Sequence, residues 1–116
     1  MMNSKQFCFT LLFVALFVNM NAQEATVWNI DKSHSSITFS ISHFKIATVK
    51  GHFKDFSGTI TSKKDDFTKG EVNVTIKTAS INTNQEARDK HLRSADFFNA
   101  EVNPEITFKS TSIEKK

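Results

Sequence analysis

Hydrophobic and polar residues alternate with a period of two through much of the chain. Ile37, Phe39 and Ile41 are separated by Thr38 and Ser40 and followed by Ser42, while Val72, Val74 and Ile76 interleave with Glu71, Asn73, Thr75 and Lys77. Val49, Gly51 and Phe53 alternate with Lys50, His52 and Lys54, and Ile106 and Phe108 with Thr107 and Lys109. Successive side chains of a strand point to opposite faces, so each run predicts a half-buried strand. Trp28 and Ile30 mark one face of a short opening strand. Turn-forming residues separate the runs: Asp31-Lys32-Ser33, Ser57-Gly58, and the stretch from Lys63 to Gly70. Five antiparallel strands is the economical reading.

One segment departs from this period. Thr83-Asn84-Gln85-Glu86 has the spacing of a capping box, in which the Thr hydroxyl and the Glu carboxylate satisfy each other's backbone donors. Behind it, Glu86 with Lys90 and Asp89 with Arg93 stand four apart in the favourable order. The pattern predicts a helix from about Asn84 to Ser94, between the fourth and fifth strands. Only Ala87, Leu92 and Ala95 give it apolar contacts, so Leu92 with Phe97 and Phe98 is expected to pin it across an open end of the sheet.

The first residues stand outside this pattern. Lys5 precedes an uncharged apolar run, Phe7 to Val18, and Asn19-Met20-Asn21-Ala22 then turns polar and ends on a small residue. That layout predicts a secretory signal peptide over residues 1–22, cleaved before Gln23, which leaves residues 23–116 to fold. A membrane span needs about 20 apolar residues, more than this run supplies. Cys8 precedes the apolar run and cannot serve as a lipid-attachment cysteine after it.

Composition narrows the function classes. A chain of 116 residues allows one domain, and 39% hydrophobic with 23% charged residues excludes a disordered acidic chain. The net charge of +3 is mild and evenly spread, whereas nucleic-acid binding needs a clustered basic stripe. The single Cys excludes an intramolecular disulfide and a multi-cysteine zinc site.

Candidate chemistry is thin. His43 continues the apolar series 37, 39, 41, whereas His52 belongs to the polar series 50, 52, 54, so the two are expected on opposite faces and not on one metal. Asp89 and His91 stand two apart on a helix and do not face each other. Asp31-Lys32-Ser33-His34-Ser35 holds the side-chain types of a serine hydrolase without its strand–turn–helix elbow, and an Asx or Ser turn explains it better. A secreted metal-dependent hydrolase using His43 or His91 is the alternative reading.

The order of residues resembles the YceI family of secreted lipid-binding proteins. The resemblance lies in residues 28–35 (WNIDKSHS), 37–44 (ITFSISHF), 49–58 (VKGHFKDFSG) and 80–83 (SINT). It continues in residues 88–98 (RDKHLRSADFF) and 104–110 (PEITFKS), in matching order and at matching intervals. It implies a lipocalin-like antiparallel β-barrel that holds a polyprenyl phosphate or an isoprenoid quinone, with no catalytic residues and no cofactor. Residues 23–116 then correspond to the N-terminal portion of the family's domain. A barrel interior holds one small ligand only at about 8 strands, so five strands are expected to make a partial barrel.

A closed sheet with one apolar and one polar face has a greasy lumen and a wet exterior. Phe39, Ile41, Phe53, Val72, Val74, Ile76, Ile106 and Phe108 are the expected lumen residues, though an ordinary barrel core has the same pattern. Arg88, His91 and Arg93, on or near the helix, are the candidates to meet a pyrophosphate or quinone head. Each buried methylene contributes about 0.8 kcal/mol against water but almost nothing against a bilayer, which suits a carrier in transient contact with membranes.

Overall fold

The computed structural model describes residues 22–43 and 45–116. The expected signal segment therefore lies, apart from Ala22, outside the described residues. Seven strands form where the sequence predicts five: β1 (Thr26–Asn29), β2 (Ile37–His43), β3 (Ala47–Phe53), β4 (Phe56–Ser62), β5 (Glu71–Lys77), β6 (Ile81–Asn82) and β7 (Glu105–Lys109). One helix, α1 (Glu86–Arg93), lies between β6 and β7 rather than between a fourth and a fifth strand. The chain is mainly β, and every strand pair is antiparallel.

The strands divide into a four-stranded sheet, β1-β4-β5-β7, and a three-stranded sheet, β2-β3-β6. A bent ribbon joins them. β3 and β4 follow each other with only Lys54 and Asp55 between, while β5 and β6 run back along them. Between the pairs Phe53–Ile81 and Phe56–Ile76, two residues on one side face four on the other, Lys77 to Ser80. A 3-10 turn over Thr78–Ser80 takes up the excess and bends the ribbon. Backbone bonds carry the ladder through the bend, from Lys54 N–H to Ser80 O (3.1 Å) and from Lys77 N–H to Asp55 O (2.9 Å). The buried apolar side chains Phe53, Phe56 and Ile81 gather here, so the core sits at the corner between the sheets.

Two sequence expectations give way. Ser57-Gly58 is not a turn but lies inside β4, opposite Thr75 and Val74. A Cβ on Gly58 would overlap Ile30 Cδ1 and come 3.0 Å from Asn73 O, so this glycine admits the side chain that follows β1. The capping box is absent as well. Asn84 is in the left-handed region (φ 61°) and Gln85 caps α1 without a side-chain hydrogen bond, which starts the helix at Glu86. The expected pairs Glu86–Lys90 and Asp89–Arg93 do not form; Arg93 pairs with Glu86 instead (2.9 Å) and Asp89 turns inward to Thr83.

The loop from Asp31 to His34 is the Asx turn that its sequence suggests. Ser33 N–H donates to Asp31 Oδ1 (2.8 Å), and the His34 ring lies 2.7 Å from Asp31 Oδ2. The His34 contact, with the Ser33 N–H, holds the Asp31 carboxyl below its usual range.

Candidate functional site

The apolar face of the four-stranded sheet follows from register. Residues directly opposite in an antiparallel pair share a face. Three rows cross the sheet: Trp28, Ile60 and Val72; Gly58, Val74 and Phe108; and Phe56, Ile76 and Ile106. The three-stranded sheet has the matching rows Ile37, Phe53 and Ile81; Phe39 and Gly51; and Ile41 and Val49. The Phe39 ring lies over Gly51, where a Cβ would overlap it, and tilts against Phe53 with centroids 5.8 Å apart.

The eight expected lumen residues thus split between the sheets. Phe39, Ile41 and Phe53 lie on one, and Val72, Val74, Ile76, Ile106 and Phe108 on the other. They differ in cover. Phe53 is buried, Val72, Val74, Ile76 and Ile106 are half-buried, and Ile41 and Phe108 are 54% and 57% exposed. Phe56 and Ile60 complete the face and escape the sequence reading, because Ser57-Gly58 between them reads as a turn. Their recoverable cue is spacing: Phe56, Gly58 and Ile60 keep the period of two with glycine as the middle member.

Helix α1 closes the corner end of the three-stranded sheet. Phe98 packs edge-on against Phe53, with centroids 6.1 Å apart, and its N–H donates to Leu92 O (3.0 Å). Phe98 is thus the pin that the sequence suggests, whereas Phe97 is 57% exposed and meets the His91 ring edge-on. A buried polar node fixes the helix to β6. Asp89 Oδ1 accepts from Thr83 N–H (2.8 Å) and from the Thr83 hydroxyl (2.5 Å). Arg88 donates from Nε to Thr83 Oγ1 (2.8 Å) and from Nη2 to Thr83 O (2.9 Å).

All three head-group candidates therefore have partners in their own segment. Arg88 holds Thr83, His91 Nε2 lies 3.0 Å from Asp96 Oδ2, and Arg93 pairs with Glu86. The partners of His91 and Arg93 are exposed and exchangeable, while those of Arg88 belong to the node. No group of three His, Cys, Asp or Glu residues positioned to hold a metal occurs among the described residues. The register places His43 opposite Ala47 and His52 opposite Thr38, well separated along the hairpin. Two surface depressions have volumes of about 520 and 420 Å³. The first is lined by Phe39 and Gly51 of the apolar row together with the polar residues Thr38, Ser40, Lys50, His52 and Asn84, and the second is walled mainly by Lys63, Lys64 and Lys69, so the apolar face of β5 and β7 enters neither.

Comparison with known proteins gives the face its context. The protein YceI of Escherichia coli O157:H7 is 43% identical over 107 residues, covering 90% of this chain and 56% of that protein. A UPF0312 protein of Serratia proteamaculans is 44% identical over 103 residues, covering 87% and 54%. The crystal structure of the Campylobacter jejuni YceI protein superposes with a TM-score of 0.54 at 41% identity, over 76% of this chain and 52% of that one. That of Burkholderia cenocepacia BcnA reaches 0.66 at 24% identity, over 74% and 54%, a likeness of fold. The chain spans about half the length of the relatives it matches. The YceI-like domain matches residues 28–116, and the chain belongs to that family.

Proposed function

We propose that this chain binds an isoprenoid lipid, a polyprenyl phosphate or an isoprenoid quinone, as a non-catalytic carrier that is secreted or periplasmic. The observation that carries the reading is the continuous apolar face with Val74 opposite Phe108 and Ile76 opposite Ile106, part of it open at Phe108. A methyl-branched chain lying along such rows removes apolar surface from water on both partners. The polar reverse face, with its Lys77–Glu105 and Lys109–Glu71 pairs, keeps the outside of the sheet wet. In this reading residues 1–22 are removed on export, and His91 and Arg93 exchange their exposed carboxylate partners for the lipid head. Arg88 keeps its place in the Thr83 node.

Trp28, the single Trp, supplies the test, since it shares a row with Ile60 and Val72. Titration with a short-chain isoprenoid quinone is expected to quench its fluorescence saturably. Quenching that rises linearly without saturation, as in simple collision, contradicts the reading.

A further inference from the structure

The apolar face of the four-stranded sheet has a definite end. From the corner outward its rows are Phe56, Ile76 and Ile106, then Gly58, Val74 and Phe108, then Trp28, Ile60 and Val72. Successive rows on one face stand about 7 Å apart, two residues of strand. The next row on the same face pairs Thr26 with Ser62 and is polar. The apolar surface therefore stops at Trp28.

The loop between β4 and β5, residues 63–70, brings an aromatic ring to that stop. The Phe67 ring meets the Trp28 ring edge-on, with centroids 4.9 Å apart. The loop holds its shape through its own bonds. Phe67 N–H donates to Lys64 O (3.1 Å), Gly70 N–H to Phe67 O (3.0 Å), and Lys64 N–H to the hydroxyl of buried Ser62 (3.1 Å). Asp66 Oδ1 accepts from both the N–H (3.1 Å) and the hydroxyl (2.7 Å) of Thr68. Gly70 permits the close fold, since a Cβ there would stand 2.8 Å from Phe67 O and 2.9 Å from Thr61 O. Phe67 itself has φ 62°, in the left-handed region that bulky residues avoid and glycine occupies freely. The backbone would be better served by glycine, and what phenylalanine adds at this position is its contact with Trp28.

We infer that Phe67 is the tail stop of the apolar face and sets the longest isoprenoid chain the protein accepts. The inference rests on the lipid reading and deepens it. A tail whose head meets α1 near the corner runs outward along the rows and reaches the Trp28 row last. Each added isoprene unit hides more apolar surface from water until the tail meets the Phe67 ring. The next unit must displace that ring or lie against the polar Thr26–Ser62 row, so the gain ends there. The stop is built from β1, β4, β5 and the loop that joins the last two, so it holds whatever lies beside β7.

The test is a competition. The full chain is incubated with an equimolar ladder of polyprenyl phosphates of increasing isoprene number, and the lipid that co-elutes in gel filtration is identified by mass spectrometry. The wild type is expected to show a sharp upper limit of length. F67G removes the ring and suits the backbone, and is expected to raise retention of the first rejected length relative to the last accepted one roughly tenfold or more, since each unit buries several carbons. F67W adds bulk at the same place and is expected to move the limit to shorter chains, so the inference stands or falls on either variant that remains folded by circular dichroism. A limit unchanged in both variants, a loss of every length in folded F67G, or a wild type that retains all lengths alike would overturn the tail stop and leave the lipid reading standing. A wild type that retains no length of the ladder would overturn both.

Discussion

Asp89 and Thr83 are each other's partners in the interior: the Asp89 carboxylate, 2% exposed, accepts both the N–H and the hydroxyl of Thr83. Arg88 bonds the same Thr83 through its hydroxyl oxygen and its carbonyl, so one threonine, directly after β6, is tied to both Arg88 and Asp89 of α1. A buried donor or acceptor left without a partner costs about 1–3 kcal/mol. Asp89→Ala leaves two donors stranded, and Thr83→Val leaves the carboxylate and the guanidinium short of one partner each. Both are expected to lower the unfolding free energy by about that much, seen as a lower urea midpoint with an unchanged m-value. An unaltered midpoint in Asp89→Ala would show that the node does not hold α1.

Gly58 predicts a coupling between β1 and β4. Alanine there places a methyl against the Ile30 side chain and the Asn73 carbonyl, and overpacking of this kind costs about 1–3 kcal/mol. Ile30→Ala in the same chain removes the obstacle, so the double variant is expected to lose clearly less than the sum of the two single changes. Additive losses in a denaturation cycle would mean that the two positions do not meet.

Legibility followed how much of each element is written in its own residues. β2, β5 and β7 are open to reading because their apolar series, such as 37, 39, 41 and 72, 74, 76, are unbroken, and β3 because Gly51 sits between Lys50 and His52 with no turn-forming neighbour, unlike Ser57-Gly58 in β4. β4 was hidden because the apolar place at Gly58 is filled by Ile30 from another segment, and β6 because two residues show no period. The helix was legible and its start was not: Thr83 has two uses for its hydroxyl, and the buried carboxylate at Asp89 won over the cap. Likewise the lumen residues follow from alternation, but their division between two sheets depends on the bend at Thr78–Ser80.

The β5–β7 seam has a defined acid response. Asn73 and then Lys109 hold the Glu71 carboxyl below its ordinary value of 4.5. A depressed folded-state pKa means that the contribution is present above the unfolded value and is lost as pH falls through the folded one. Carbon-13 titration of Glu71 is expected to give a midpoint below 4.5, and Asn73→Ala to move it upward. A midpoint that Asn73→Ala leaves in place would remove the Asn73 amide from this account.

The inward and outward faces of β2 differ by one residue. Phe39 lies against Phe53 over Gly51, whereas Thr38 is exposed. Phe39→Asp puts an unpaired carboxylate on the apolar side and is expected to abolish lipid retention; Thr38→Asp is expected to be tolerated. Equal retention by both variants would refute the inward assignment of this face.

The most direct measurement is organic extraction and mass spectrometry of the protein purified from its native envelope. The account predicts a polyprenyl phosphate or an isoprenoid quinone in an amount comparable to the protein, and its loss in Phe39→Asp. Protein that yields no lipid, or that yields only bulk phospholipid in proportion to the surrounding membrane, would contradict it.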